Sequence, residues 1–450
     1  MPASDVPLKP EPELALRERV LAAVDALTPR MIESVAAAVR IPSINPKYPG
    51  QVYDDHVGRE SEVSALIAEI YREAGAEVEM VSVEAQRDNA CARLVGSGGG
   101  RSLLLNGHVD VVPANAEKWS EDPFAGRVTD TAVHGRGATD NKAGVVAAAY
   151  AALALAKAGV KLQGDLVLQA VVGEEVGDHE AGTTAAVNAG YTADAAIVVE
   201  PSHFDDGDPN YAMSTPGGLV FRVTLQGKTA HSSLRGMTVH PTLRGEALGV
   251  NTIDKYWVVY SALRELENRW ALTDRHPDFV PGYFNLLPGV LEAHPVGFRV
   301  PFAHPDELVV EYCVAHHPDR TNAEVIAEVE AVITAACAND SWLAANPPQV
   351  EWTLLWPPYN APEDLDVVPA LRAAHSDALG AFDGSRPALR EGFMGLCDAT
   401  WLQEAGIPGV IYGPGAATTA HAEGEYVPIH QIITVAKTYA LTAVRYCGVA

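Results

Sequence analysis

Between residues 59 and 74 apolar side chains recur every three or four positions. Val63, Leu66, Ile67, Ile70 and Tyr71 share one face of a predicted helix, and Gly75 suits its C-terminal cap. The pattern then shortens to apolar runs at 78–83, 103–106, 166–172, 196–199 and 409–412, which read as strands. Helical patterns alternate with them, for example at 142–158 and 429–447. Such alternation predicts an α/β fold, a sheet with helices on both faces.

The pattern changes near Ser214-Thr215-Pro216-Gly217-Gly218. A strand at 219–225 comes first. A long helix follows, with Ile253, Trp257, Tyr260, Leu263, Leu266 and Trp270 at spacings of three and four. Two strands come next, at 283–291 and 308–314. A second helix opens with a capping box, Thr321 and Glu324, and carries Val325, Ile326, Val329, Val332 and Ile333 on one face. A strand at 350–355 closes a β-α-β-β-α-β unit, and Trp356-Pro357-Pro358-Tyr359 reads as a hinge. At 450 residues the chain is too long for one simple core. The expected division is one domain of 1–213 with 357–450, and an inserted α+β domain of 214–356. Gly96-Ser97-Gly98-Gly99-Gly100 is a turn without a phosphate-loop pattern.

Composition narrows the function. The net charge is −26, which argues against nucleic acid and anionic membranes as partners. Cys91, Cys313, Cys337, Cys397 and Cys447 are scattered, odd in number and contain no C-x-x-C. Neither a disulfide framework nor a thiolate metal site is expected, and a cytoplasmic location fits. Residues 1–13 are polar and proline-rich, without a basic-then-apolar signal pattern. The apolar stretch 143–160 is alanine-rich and broken by Lys157, so it reads as a buried helix rather than a membrane span.

The candidate chemistry lies at the ends of predicted strands: His108, Asp140, Glu174-Glu175, Glu200 and His421. In open α/β sheets ligands bind at the carboxyl ends of strands. Two imidazoles and three carboxylates, counting one of the paired glutamates, are too many for one tetrahedral zinc with an open position. They suit two divalent ions that share a carboxylate, with a water between them. Zinc fits this donor set, as do manganese and cobalt. Asp110, two residues from His108, faces the same side of a strand and can orient the imidazole. Each residue alone has an ordinary reading. Paired glutamates usually form a solvated face, Asp140 could cap the next helix, and His108 could be a core histidine. Their joint placement favours the metal. His134, His179, His240 and His316-His317 read as surface or loop residues. The absence of G-x-S-x-G argues against a serine hydrolase.

Six segments in order carry a resemblance. They are Asn106-Gly107-His108-Val109-Asp110, Gly135 to Lys142, Gly173-Glu174-Glu175, Glu200-Pro201, Gly227-Lys228-Thr229-Ala230-His231-Ser232, and Gly413-Pro414-Gly415 with His421. The chain resembles the M20 metallopeptidases, the group of aminoacylase, acetylornithine deacetylase, succinyl-diaminopimelate desuccinylase and carboxypeptidase G. The resemblance implies a mixed-sheet, two-metal catalytic domain with a ferredoxin-like inserted domain for dimerisation and closure. It implies that His108 and Glu200 hold one ion, Glu175 and His421 the other, and that Asp140 bridges them. Glu174 becomes the general base for a hydroxide held between the metals. Side chains of neighbouring strand residues point apart, which leaves Glu174 and Glu175 to different roles. His231 is implied to steady the oxyanion in the partner subunit's site, hence a homodimer. A cis peptide between Asp140 and Asn141 is implied as well.

The chain also departs from that group. Phe298-Arg299-Val300-Pro301 stands where many relatives have Asn-x-Ile-Pro, and Ala315 stands where many have an arginine. The usual grip on a substrate carboxylate is therefore missing, with Arg299 or Arg235 as substitutes. Phe298 favours an apolar or aromatic substrate, and Gly415 lines the substrate site. The expected activity is hydrolysis of a C–N bond in a small molecule, as an amidohydrolase or N-deacylase. The alternatives are a dipeptidase or carboxypeptidase, or a hydrolytic deaminase of an aromatic amine. A non-catalytic binding protein on this scaffold is the alternative from another class, but Glu174 and every ligand are present.

Overall fold

Eight strands make one mixed sheet, in the order Glu77–Glu84, Arg87–Leu94, Leu166–Val171, Leu103–His108, Ala195–Val198, Gly409–Ile411, Tyr211–Ala212, Arg390–Glu391. This is seen in a computed structural model, which describes residues 11–240 and 245–450. Part of the polar start, 1–10, thus lies outside the described residues. The three central strands run parallel to one another, and Gly409–Ile411 joins them in parallel. They are almost wholly apolar because they are buried throughout, and the two amides that interrupt them meet, Asn106 Nδ2 donating to Gln169 Oε1 at 2.8 Å. The edge hairpin Glu77–Glu84 with Arg87–Leu94 is antiparallel.

The apolar pattern does not reveal the strand Arg87–Leu94. Arg87, Asp88, Asn89 and Arg93 interrupt it, yet Arg87 is fully buried because Glu60 meets its guanidinium at 2.6 and 2.8 Å. A 29-residue helix, Glu11–Val39, is also absent from the pattern, with Pro29 inside it. It packs with Ala143–Lys157 and Ile429–Cys447. Every residue from Ala143 to Leu155 is buried, and alanine lets neighbouring elements approach closely. Among the described residues no helix is long and apolar enough to cross a membrane.

These elements belong to one compact unit, which runs to Met213 and resumes over Ala361–Phe393 and Cys397–Ala450. The second unit is Ser214–Asn360 with Met394–Leu396. Residues 357–360 and 394–396 therefore group with the insertion. Its order is Gly217–Gln226, helix Thr252–Thr273, Asn285–His294, Glu307–His316, helix Asn322–Cys337, Gln349–Trp356. The four strands pair antiparallel, in the order Asn285–His294, Glu307–His316, Gly217–Gln226, Gln349–Trp356. Leu219, Phe221, Val223 and Leu225 form a core with Val259, Leu263, Leu266, Trp270, Val325, Val329 and Ile333.

The two long helices of the insertion are capped by side chains. Asn251 accepts from the amides of Ile253 and Asp254, and Thr321 with Glu324 forms the expected capping box. One stripe differs from expectation. Thr252, Tyr256, Val259, Leu263, Leu266 and Trp270 are buried, whereas Ile253 is half exposed and Trp257 is 66% exposed. The helix has two apolar flanks, and only one covers its sheet. Leu287, Val290 and Leu291 on the neighbouring edge strand are also exposed.

Candidate metal centre

His108 is the last residue of the strand Leu103–His108, and it is buried. Its Nδ1 lies 3.0 Å from the carbonyl oxygen of Asp110, which fixes Nδ1 as the donor and leaves the Nε2 lone pair available to a ligand. Nε2 is 3.0 Å from Asp140 Oδ1, 3.4 Å from Glu200 Oε1 and 3.9 Å from Glu174 Oε2. His421 Nε2 is 3.2 Å from Asp140 Oδ2 and 3.0 Å from Glu175 Oε2. Two donor groups result, His108–Asp140–Glu200 and Asp140–Glu175–His421, each with ligand atoms within 4.8 Å of one another. They share Asp140, which turns one oxygen to each imidazole.

Local backbone explains this convergence. Glu174–Val176 is a single tight turn between Gly173 at φ 90° and Gly177 at φ 71°, conformations that favour glycine. The two glutamates are therefore not strand residues, and strand alternation is not what separates them. The turn geometry does so instead. The Asp110 carboxylate holds that turn: Oδ1 accepts from the Glu174 amide at 3.3 Å, and Oδ2 from the Glu175 amide at 3.1 Å. Asn45 Nδ2 donates to the same Oδ2 at 2.8 Å, and Asp110 Oδ1 lies 3.5 Å from His108 Nδ1. The nearer acceptor for the imidazole is thus the Asp110 main chain, while its carboxylate mainly holds the glutamates.

Asp140 and Asn141 depart from helical geometry within the turn Ala138–Lys142, and the peptide between them is cis. Asn141 Nδ2 donates to Glu200 Oε1 at 2.6 Å. Gly415, at φ 99°, comes so close to the same turn that a Cβ would sit 2.5 Å from Thr139 Cγ2. Its amide donates to Gln431 Oε1 at 2.8 Å. Asn45, Asn141 and Gln431 carry no sequence signal for the site beyond the nearness of Asn141 to Asp140.

Electrostatics favour added positive charge. Burial, then Glu200 and Glu175, push the Glu174 carboxyl well above its ordinary range, although His108 pulls it down. Burial likewise raises Glu200, aided by Asp140 and Asp398. Burial lowers His421, but bonds to Asp140 and Glu175 outweigh it and raise the imidazole to about 11. Burial would raise Asp140, but hydrogen bonds to the two imidazoles hold it far below the usual range. Four carboxyls face only two imidazoles, and burial makes their ionised forms costly without further positive charge. Glu175 Oε1 is buried and has no hydrogen-bond partner. Oxygen and imidazole donors, the excess of carboxyls and an unused buried lone pair all suit two divalent cations.

The remaining candidates lie in the second unit. His231 sits exposed in the turn after Gly217–Gln226, with Nδ1 accepting from the Ser233 amide at 3.2 Å. Arg235 is paired with Asp254, which occupies both of its terminal nitrogens. Arg299 and Phe298 are exposed. Ala315 pairs with Gly218 and Asn285 in the sheet. One other histidine differs from expectation. His316 is not on the surface: it is fully buried, and its Nε2 meets Asn322 Oδ1 at 2.9 Å. His179 is in a turn, as expected, and stacks on Trp401 with centroids 3.5 Å apart.

The model of peptidase family M20/M25/M40 matches residues 104–445. An N-formyl-4-amino-5-aminomethyl-2-methylpyrimidine deformylase of Halalkalibacterium halodurans is 30% identical, covering 97% of this chain and 98% of its own. The enzyme of that name from Bacillus subtilis is 31% identical over 86% of this chain and 89% of its own. Among solved structures, an M20 family metallo-carboxypeptidase from Sulfolobus solfataricus superposes with a TM-score of 0.70 at 17% identity, covering 92% of this chain and 99% of its own.

Proposed function

The chain belongs to peptidase family M20/M25/M40 and is a metal-dependent hydrolase of C–N amide bonds, and from that premise we propose a two-metal N-deacylase that removes a small acyl group, formyl first, from an aromatic or heteroaromatic amine. The observation that carries the two-metal part is Asp140, with one oxygen toward His108 and the other toward His421. His108, Asp140 and Glu200 hold one ion in this reading, and Asp140, Glu175 and His421 the other. Divalent ions bound there, zinc first and manganese or cobalt as alternatives, supply Lewis-acid polarisation of the amide and make water acidic.

Glu174 then acts as the base. Its Oε2 lies 3.9 Å from His108 Nε2, beside the group His108–Asp140–Glu200 but in neither donor group. It takes a proton from the attacking water and passes it to the leaving nitrogen, so that the amide C–N bond breaks to a carboxylic acid and an amine. Asp110 keeps Glu174 in place through the amide of the turn. Asn141 orients Glu200.

Support for the substrate class comes from two directions. The relative aligned over 97% of the chain is named for an N-formylated pyrimidine. Phe298 and Ala315 stand where carboxylate-binding relatives carry polar groups, and Arg235 is already paired. In the same reading the enzyme is a homodimer through the inserted unit, and His231 serves the partner subunit's site. The exposed edge strand with Leu287 and Leu291, and the exposed Trp257, support that surface.

A substrate screen tests the proposal. N-formyl aminopyrimidines should be turned over at kcat/KM of about 10⁴ M⁻¹s⁻¹ or more, the ordinary enzyme range. N-acetylornithine, N-succinyl-diaminopimelate and dipeptides should be poor. Preference for any of these three over the formyl compound would overturn the substrate assignment.

A further inference from the structure

The segments that carry Asp140 and His421 are zipped together by a buried carboxylate outside both donor groups. Strand Ala132–His134 pairs antiparallel with Tyr426–Pro428. Just beyond that pairing, the Gly135 amide donates to the Glu425 carbonyl at 2.9 Å, and Thr139 Oγ1 donates to the Tyr426 carbonyl at 2.5 Å. Between these bonds lies the Glu425 side chain, 1% exposed. Its Oε1 accepts from the Thr139 amide at 2.9 Å and the Asp140 amide at 3.1 Å. Its Oε2 accepts from Arg136 Nη1. Arg136, also buried, sends Nη2 to the carbonyl oxygen of His421 at 3.1 Å.

A buried carboxylate is costly unless hydrogen bonds and a countercharge meet it, and this one has both. The donors it uses are the main chains of Thr139 and Asp140 and the guanidinium that also holds the main chain of His421. His421 needs that hold, because its φ of 58° is unusual for a residue other than glycine.

We propose that Glu425 is a positioning residue of the metal centre, setting Asp140 through its amide and His421 through Arg136. This rests on the reading that the two donor groups hold ions. Glu425 reaches two of the three donors of Asp140–Glu175–His421, but only Asp140 of the group His108–Asp140–Glu200. Its loss therefore weakens one ion more than the other, which general destabilisation would not do.

Cobalt(II) titration of the chelated full-length protein tests this, with visible absorption and calorimetry as readouts and no activity needed. Wild type should take up two equivalents. Glu425→Gln should keep one tight equivalent and bind the second about 10–100-fold more weakly, the usual effect of losing an outer partner of a ligand. Arg136→Lys keeps a positive charge at Glu425 but cannot span to the His421 carbonyl, and it should show the same selective loss. It decides the matter alone if Glu425→Gln fails to fold. Two ions bound within about 3-fold of wild type, or equal weakening of both, would overturn the role of Glu425. Failure of the wild type itself to bind two cobalt ions would instead overturn the two-metal reading.

Discussion

Glu174 and Glu175 are adjacent residues of one type, and the structure gives them different neighbours. Glu175 Oε2 bonds His421 Nε2 at 3.0 Å, whereas Glu174 Oε2 stands 3.9 Å from His108 Nε2. Their substitutions should therefore separate. Glu174→Gln should lower kcat by about 10²–10⁴-fold, the typical worth of a general base, with two ions still bound. Glu175→Gln should lower metal content as well as kcat. Elemental analysis beside single-turnover kinetics checks both, and retention of more than about 1% activity by Glu174→Gln would remove it as the base. The imidazoles and carboxylates were legible in the sequence because metal chemistry restricts residue type and strand ends restrict position. Asn45, Gln431 and Glu425 were not, because their roles depend on segments remote in sequence. Nothing near Asn45 says that Asp110 lies 2.8 Å from its amide.

At the level of elements, periodicity located what is covered on one face or on both, and failed where charge is buried. The strand Arg87–Leu94 looks polar, because its buried Arg87 is satisfied by Glu60 from the helix Arg59–Glu73. The helix Thr252–Thr273 shows a different limit. Two apolar stripes are present in its sequence, and periodicity cannot say which one the sheet takes. The stripe left over, with Ile253 and Trp257, adjoins the proposed dimer surface. Trp257→Glu together with Leu291→Lys should shift the protein to monomer in sedimentation velocity and leave its metal content unchanged. An unchanged dimer would place the contact elsewhere, and a monomeric wild type would remove it.

Across the whole molecule, acid stability gives a test independent of the metal. His375 is buried on the helix Val367–Ala378, with Nδ1 2.7 Å from the Tyr412 hydroxyl. Burial, with a contribution from Arg386, lowers its imidazole to about 4. The unfolded chain, with its histidines near 6.5, then binds a proton that the folded chain refuses. Stability from this group is present above about pH 6.5 and is lost as pH falls toward 4, by about 3 kcal/mol at most. Wild type should thus lose more stability than His375→Gln between pH 7 and pH 5 in urea titrations. Parallel losses would show that His375 does not titrate abnormally. The most direct measurement concerns the metals. Protein stripped by chelator is titrated with zinc, while bound metal per chain and hydrolysis of an N-formyl aminopyrimidine are followed together. Activity should be absent without metal and reach its full value only as the second ion binds. Full activity with one ion or none bound would contradict a two-metal hydrolase.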